Sequence, residues 1–167
     1  AIAIGERLLR ERPEFSATLA QYHCELAAQS LQRREAADAQ RHLGAALKVE
    51  PLCVRALIML AELHVQAAEY KAAAGLLQRL AQQTPDFVPE VLALAERCAD
   101  NGALDLAYYL DQALERSAKP VVAIILARAR LIQRTEGAAS AERFLLQRLQ
   151  VQPSLPGVQE LLRLRGP

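Results

Sequence analysis

The side chains best equipped for chemistry in this sequence are three histidines and three cysteines, and the question is whether spacing lets any of them act together. His23, His42 and His64 form no H-E-x-x-H pattern, and no two share a helix face in the way zinc ligation requires. Cys24, Cys53 and Cys98 are odd in number and far apart, with no C-x-x-C. Neither a disulfide framework nor a rubredoxin-type knot is supported, and each cysteine is expected as a small buried apolar residue in a reducing compartment. His23 and Cys24 are adjacent, but consecutive helix residues diverge by about 100°, so the histidine is not placed to activate the thiol. No G-x-S-x-G occurs, and the seven glycines form no phosphate-cradling loop. The acidic stretches "ERPEFS" and "TPDFVPE" read as helix starts that compensate the dipole. The expectation is therefore a chain without catalytic residues, cofactor or metal.

The elements that would position such residues are helical. The 167-residue chain is 52% hydrophobic and 23% charged, a balance that folds, while 4% aromatics, no tryptophan and abundant alanine and leucine favour helix. A net charge of +1 gives no reason to expect nucleic acid. Segment 128–165 nevertheless holds seven arginines against three glutamates, a net +4. It reads either as solvated helix faces or as a basic patch for an acidic partner or lipid surface. No apolar run approaches the roughly 20 residues of a membrane span, and no signal peptide opens the chain. The opening "AIAIGERLL" and closing "LLRLRGP" read as cut edges, expected to expose apolar surface and to allow a homodimer.

A period of 34 residues organises the whole. Ala27, Ala61, Ala95 and Ala129 form one column, and Ala39, Ala73, Ala107 and Ala141 a second, twelve residues on. Pro51, Pro85 and Pro153 are in phase and Pro120 is one residue late. Leu26, Leu60 and Leu94 make a column that breaks at Arg128; Leu43, Leu77 and Leu145 make another that breaks at Asp111. Apolar residues at i, i+3, i+4 and i+7 run through "VRALIMLAELHV" and "AAAGLLQRLAQQ", joined by the turn "QAAEY". Each unit is thus a pair of antiparallel helices, A and B, crossing at the alanines, with a proline ending helix B and suiting the first turn of the next helix A.

The expected fold is all-α, a right-handed tetratricopeptide-repeat solenoid forming one array over 1–167. Its units are 20–53, 54–87, 88–121 and 122–155, preceded by a helix B over 1–12 and followed by the start of a further unit over 156–167. Pro13 is expected to open a first helix A longer than the period requires. Tyr70, like Ala36 and Leu104, stands at the start of helix B. His64 shares a repeat position with Cys98 and reads as a core residue. In stacked hairpins the A helices line a concave face, giving an apolar ladder (Cys24, Ile58, Leu92, Leu126) beside a charged one (Glu62, Glu96, Arg130). With Gln21 and Arg55, these form the candidate partner-binding groove. The Lys and Asn clamp that other tetratricopeptide modules use for chaperone tails is missing from these positions.

Three stretches carry a closer likeness: "YHCELAAQSLQRREAADAQRHLGAALKVEP", "AEYKAAAGLLQRL" and the opening "AIAIGERLL". In order and spacing they resemble the lipopolysaccharide assembly protein B family (LapB/YciM), with "Y-x-C-E-L-A" the most specific element. That resemblance implies a bacterial adaptor at the cytoplasmic face of the inner membrane, held by an N-terminal helix. It implies promotion of LpxC deacetylase degradation by the FtsH protease, among partners in lipopolysaccharide assembly. The family's rubredoxin-type metal knuckle needs two C-x-x-C pairs, which this sequence lacks, as it lacks the membrane anchor.

Overall fold

A computed structural model describes residues 15–117 and 121–165. The expectations for helix B over 1–12, Pro13 and Pro120 lie outside the described residues. Among those described there are nine α-helices and no strand, so the all-α reading holds. They are α1 (Ser16–Gln32), α2 (Ala36–Val49), α3 (Val54–Gln66), α4 (Tyr70–Gln83), α5 (Val88–Asp100), α6 (Leu106–Arg116), α7 (Val122–Glu136), α8 (Ala138–Val151) and α9 (Leu155–Arg165). Three helix-A starts, Val54, Val88 and Val122, are spaced at the sequence period. The first helix A runs 17 residues against 13 for α3 and α5. Pro51, Pro85 and Pro153 sit in the connectors ahead of the next helix rather than in its first turn, Pro85 opening a short 3-10 turn, Pro85–Phe87. Among the described residues no helix is long and apolar enough to cross a membrane.

The chain divides into two compact units, 1–80 and 81–167. In the first, α2 packs on both α1 and α3, and α1 also meets α3. Its core joins Ala20, Cys24 and Ala27 of α1 to Ala39, Leu43 and Ala46 of α2, then to Cys53, Ala56 and Leu60. The small side chains let the axes approach closely while Leu43 and Leu60 fill the space beside them. His23 is buried with its ring 5.8 Å from that of His42, and His64 is half-buried beside the Glu69 carboxylate. All three cysteines are free and buried.

A shared backbone device closes each of the first three A helices. Arg34, Ala68 and Gly102 have φ of 62°, 59° and 70°, again spaced at the period. The next residue's N–H reaches back to close the helix: Glu35 to Ser30 O at 2.9 Å, Glu69 to His64 O at 2.8 Å and Ala103 to Cys98 O at 2.9 Å. Each left-handed residue also donates to a carbonyl three back, completing a Schellman stop. The fourth hairpin differs: α7 runs on to Glu136, and Gly137 alone (φ 94°, ψ 170°) turns the chain into α8.

In the second unit α6 packs against α5 and α7, α8 against α7 and α9, and the A helices α5, α7 and α9 also meet in succession. One helix departs from the sequence columns. In α4 the buried residues are Ala73, Ala74, Leu77, Leu80 and Ala81, and in α6 Leu106, Tyr109, Leu110, Ala113 and Leu114; Leu106, Leu110, Ala113 and Leu114 repeat α4 positions at a spacing of 33 rather than 34. Ala107 is accordingly only half-buried and Asp111 points away from the core position that leucine holds elsewhere. Leu104 falls before the helix, which starts where Asp105 caps it, its carboxylate accepting from Tyr108 N at 3.1 Å. At α9, Gly157 lies so close to α8 that an added Cβ would stand 2.8 Å from Leu149 Cδ2. The same helix leaves Leu155, Val158 and Leu162 exposed along one side.

The Schellman stops generate a paired test. Ala68→Gly removes a left-handed cost and should raise stability by about 0.5–1 kcal/mol, while Gly102→Ala should lower it by about 1 kcal/mol or more. Urea midpoints measure both; a stabilised Gly102→Ala would contradict the turn geometry.

Candidate functional site

Within the second unit a cleft of about 190 Å³ opens between two A helices over the B helix that joins them. Helical spacing supplies each wall. Leu92 and Glu96, four apart on α5, form one side; Ala127, Arg130, Leu131 and Arg134 on α7 form the other. Leu106 and Leu110 of α6 are buried and make the floor. The one-residue shift of α6 is what puts these leucines there in place of Ala107 and Asp111. The apolar base therefore lies between an exposed carboxylate on one rim and two exposed guanidinium groups on the other.

Asp111, displaced sideways by the same shift, finds Arg128 of α7. The two make a bidentate pair, Nε to Oδ1 at 2.7 Å and Nη2 to Oδ2 at 2.8 Å, and the carboxylate holds the Arg128 guanidinium more firmly protonated. The two residues that interrupt the leucine columns are thus partners. On the far side of α7, the Glu160 carboxylate of α9 is buried and accepts from Arg163 at 2.8 and 3.1 Å and from Arg130 at 3.4 Å. Hydrogen bonding from Arg163 holds its carboxyl below the usual range against the opposing effect of burial, with the charges of Arg163 and Arg130 adding to it. Arg165 pairs with Glu142. Four of the seven arginines in 128–165 are therefore engaged by carboxylates, but Glu142 and Glu160 are already counted in the net +4, and Asp111 alone lowers it, to +3.

Three of the nine groove residues expected from sequence, Leu92, Glu96 and Arg130, line this cleft. Leu126 is half-buried on α7 but is not part of the lining. In the first unit, Ile58 is half-buried and Glu62 exposed on α3. Gln21, Cys24 and Arg55 are drawn into contacts between α1 and α3. Gln21 Nε2 donates to Cys53 Sγ at 3.8 Å, Cys24 Sγ is 3.8 Å from Cys53 Sγ, and Arg55 pairs with Glu25. Cys24 corrects the groove expectation: it is fully buried and offers no surface, with Cys53, the residue that caps the start of α3, packed against it. Sequence reasoning missed the floor leucines Leu106 and Leu110 and, on α7, Ala127, Leu131 and Arg134. Leu131 and Arg134 continue the heptad-like run from Ala127, and the signal was available in that spacing.

Helix pairs at a 34-residue period, the first three closed by the same left-handed stop, form a tetratricopeptide-repeat fold, and residues 30–98 match the tetratricopeptide repeat family model. Over 157 residues the chain is 32% identical to lipopolysaccharide assembly protein B of Haemophilus influenzae, covering 92% of this chain. The chain is similar to that protein and spans 39% of its length.

The Glu160 network has a definite pH signature. Its folded pKa lies below the ordinary value of 4.5, so its stabilisation is present above that value and is lost as pH falls through the depressed one. Glu160→Gln should be less stable at neutral pH and should show a shallower loss of urea resistance between about pH 5 and pH 3. An acid profile parallel to that of the unsubstituted chain would contradict the assignment.

Proposed function

We propose that this chain is a non-enzymatic protein-interaction adaptor, and that the cleft of its second unit seats a segment of a partner protein. The observation that carries the reading is the lining itself. Five apolar side chains form a desolvated base, and opposite charges on the two rims fix the orientation of a bound segment. The cleft is small enough that it takes side chains of a polypeptide rather than a cofactor-sized molecule.

The similarity to lipopolysaccharide assembly protein B supports partners in lipopolysaccharide assembly. The pair that the resemblance singles out is the LpxC deacetylase and the FtsH protease, met at the cytoplasmic face of the bacterial inner membrane. The mechanism is presentation. Holding a substrate protein beside a protease turns the second encounter into an intramolecular one, with an effective concentration on the order of millimolar for a short tether. No chemistry by the adaptor is needed.

Leu92→Asp with Glu96→Arg places a charge on the cleft base and reverses one rim. Circular dichroism should remain helical, while capture of purified LpxC or FtsH weakens about tenfold or more. Undiminished capture would remove the cleft from the mechanism. Binding of unrelated unfolded peptides, with none of the lipopolysaccharide enzymes, would instead favour a general peptide-binding co-chaperone.

A further inference from the structure

Cys24 and Cys53 stand near the two ends of the first repeat, 29 residues apart, yet their Sγ atoms are 3.8 Å from each other. The two thiols differ in setting. Cys24 is midway along α1 with no exposed surface; Cys53 is 5% exposed and occupies the N-cap of α3, with extended backbone (φ −62°, ψ 96°). The Gln21 amide donates to Cys53 Sγ at 3.8 Å, from one turn before Cys24. Burial and the neighbouring Cys53 push the Cys24 thiol up to about 12. The residue nearer the surface is thus the one disposed to attack, and the deeper one stands behind it. Closing the pair to a bond of about 2.05 Å requires an approach of roughly 1.8 Å.

We propose that Cys24 and Cys53 form a dithiol modification site, oxidised reversibly to an intramolecular disulfide by a low-molecular-weight disulfide such as oxidised glutathione. The Cys53 thiolate attacks one sulfur of the small disulfide. Its S–S bond breaks, a mixed disulfide forms on Cys53, and the departing thiolate takes up a proton. Cys24 then attacks Cys53 Sγ, gives its proton to solvent, and expels the second small thiol. Two protein thiols lose two electrons and the small disulfide gains them, becoming two thiols. The product staples α1 to the first residue before α3, around the whole of α2. It fixes the seam where Gln21, Glu25 and Arg55 also meet, and the site stands independently of the adaptor reading.

The test equilibrates the full chain with reduced or oxidised glutathione and counts thiols after denaturation. Oxidation should take the three free cysteines to one, with the mass falling by two hydrogens and a Cys24–Cys53 cross-link in the peptide map. The melting temperature should rise by about 5–10 °C. Cys98→Ala should behave likewise. Cys24→Ala should stop at a glutathione adduct on Cys53, and Cys53→Ala should leave Cys24 reduced. Three thiols persisting in the unsubstituted chain, a stable glutathione adduct on it, or disulfide-linked pairs of chains would each overturn the proposal.

Discussion

Two helices can cross closely only where the side chains between them are small, and this chain supplies such side chains at regular intervals. Ala27 and Ala39 are fully buried in one core cluster, as Ala61 and Ala73 are fully buried in the next hairpin and Ala141 in the last, with Ala129 almost so. With one carbon at each crossing, the axes come to the short end of the usual 8–10 Å separation. Leucines beside the crossing then fill the seam at interior density. Repetition follows from this constraint, because a hairpin so closed still has an apolar face that only a neighbour can cover. The packing of α1 on α3, of α5 on α7 and of α7 on α9 is that covering.

Much of this could be read before any coordinates. The alanine columns, the proline phase and the helix starts follow directly from residue type and period. What could not be read was a matter of rotation. A column shows that a position repeats but does not show a helix turning by one residue, as α6 does, because the shift leaves the helix period intact. Its trace in the sequence was indirect: Asp111 where a leucine belonged and Arg128 where another did. Each interruption alone looks like noise; together they are an ion pair, and the pair marks the shift. The left-handed stops were hidden for another reason. Glycine advertises such a turn at position 102, but arginine and alanine at 34 and 68 adopt it under the demand of the hairpin.

The candidate site was legible in part for the same reasons. Counting along helix A found Leu92, Glu96 and Arg130, since both walls of the cleft are A helices in regular phase. The floor was missed because it belongs to the shifted helix. In the first unit the same count produced Gln21, Cys24 and Arg55, positions that face the neighbouring A helix so closely that they bond to it. A repeat position defines a direction, and the next helix decides whether that direction ends in solvent or in a contact.

Everything drawn here requires that the alanine crossings admit nothing larger. Ala27→Leu compared with Ala37→Leu, one buried at the crossing of α1 and α2 and the other exposed on α2, puts that requirement to urea unfolding. The crossing substitution should cost about 2–3 kcal/mol through overpacking, and the exposed one should stay within about 0.5 kcal/mol of the unsubstituted chain. Equal stability of the two variants would mean that the helices do not meet at Ala27, and the hairpin geometry would have to be abandoned.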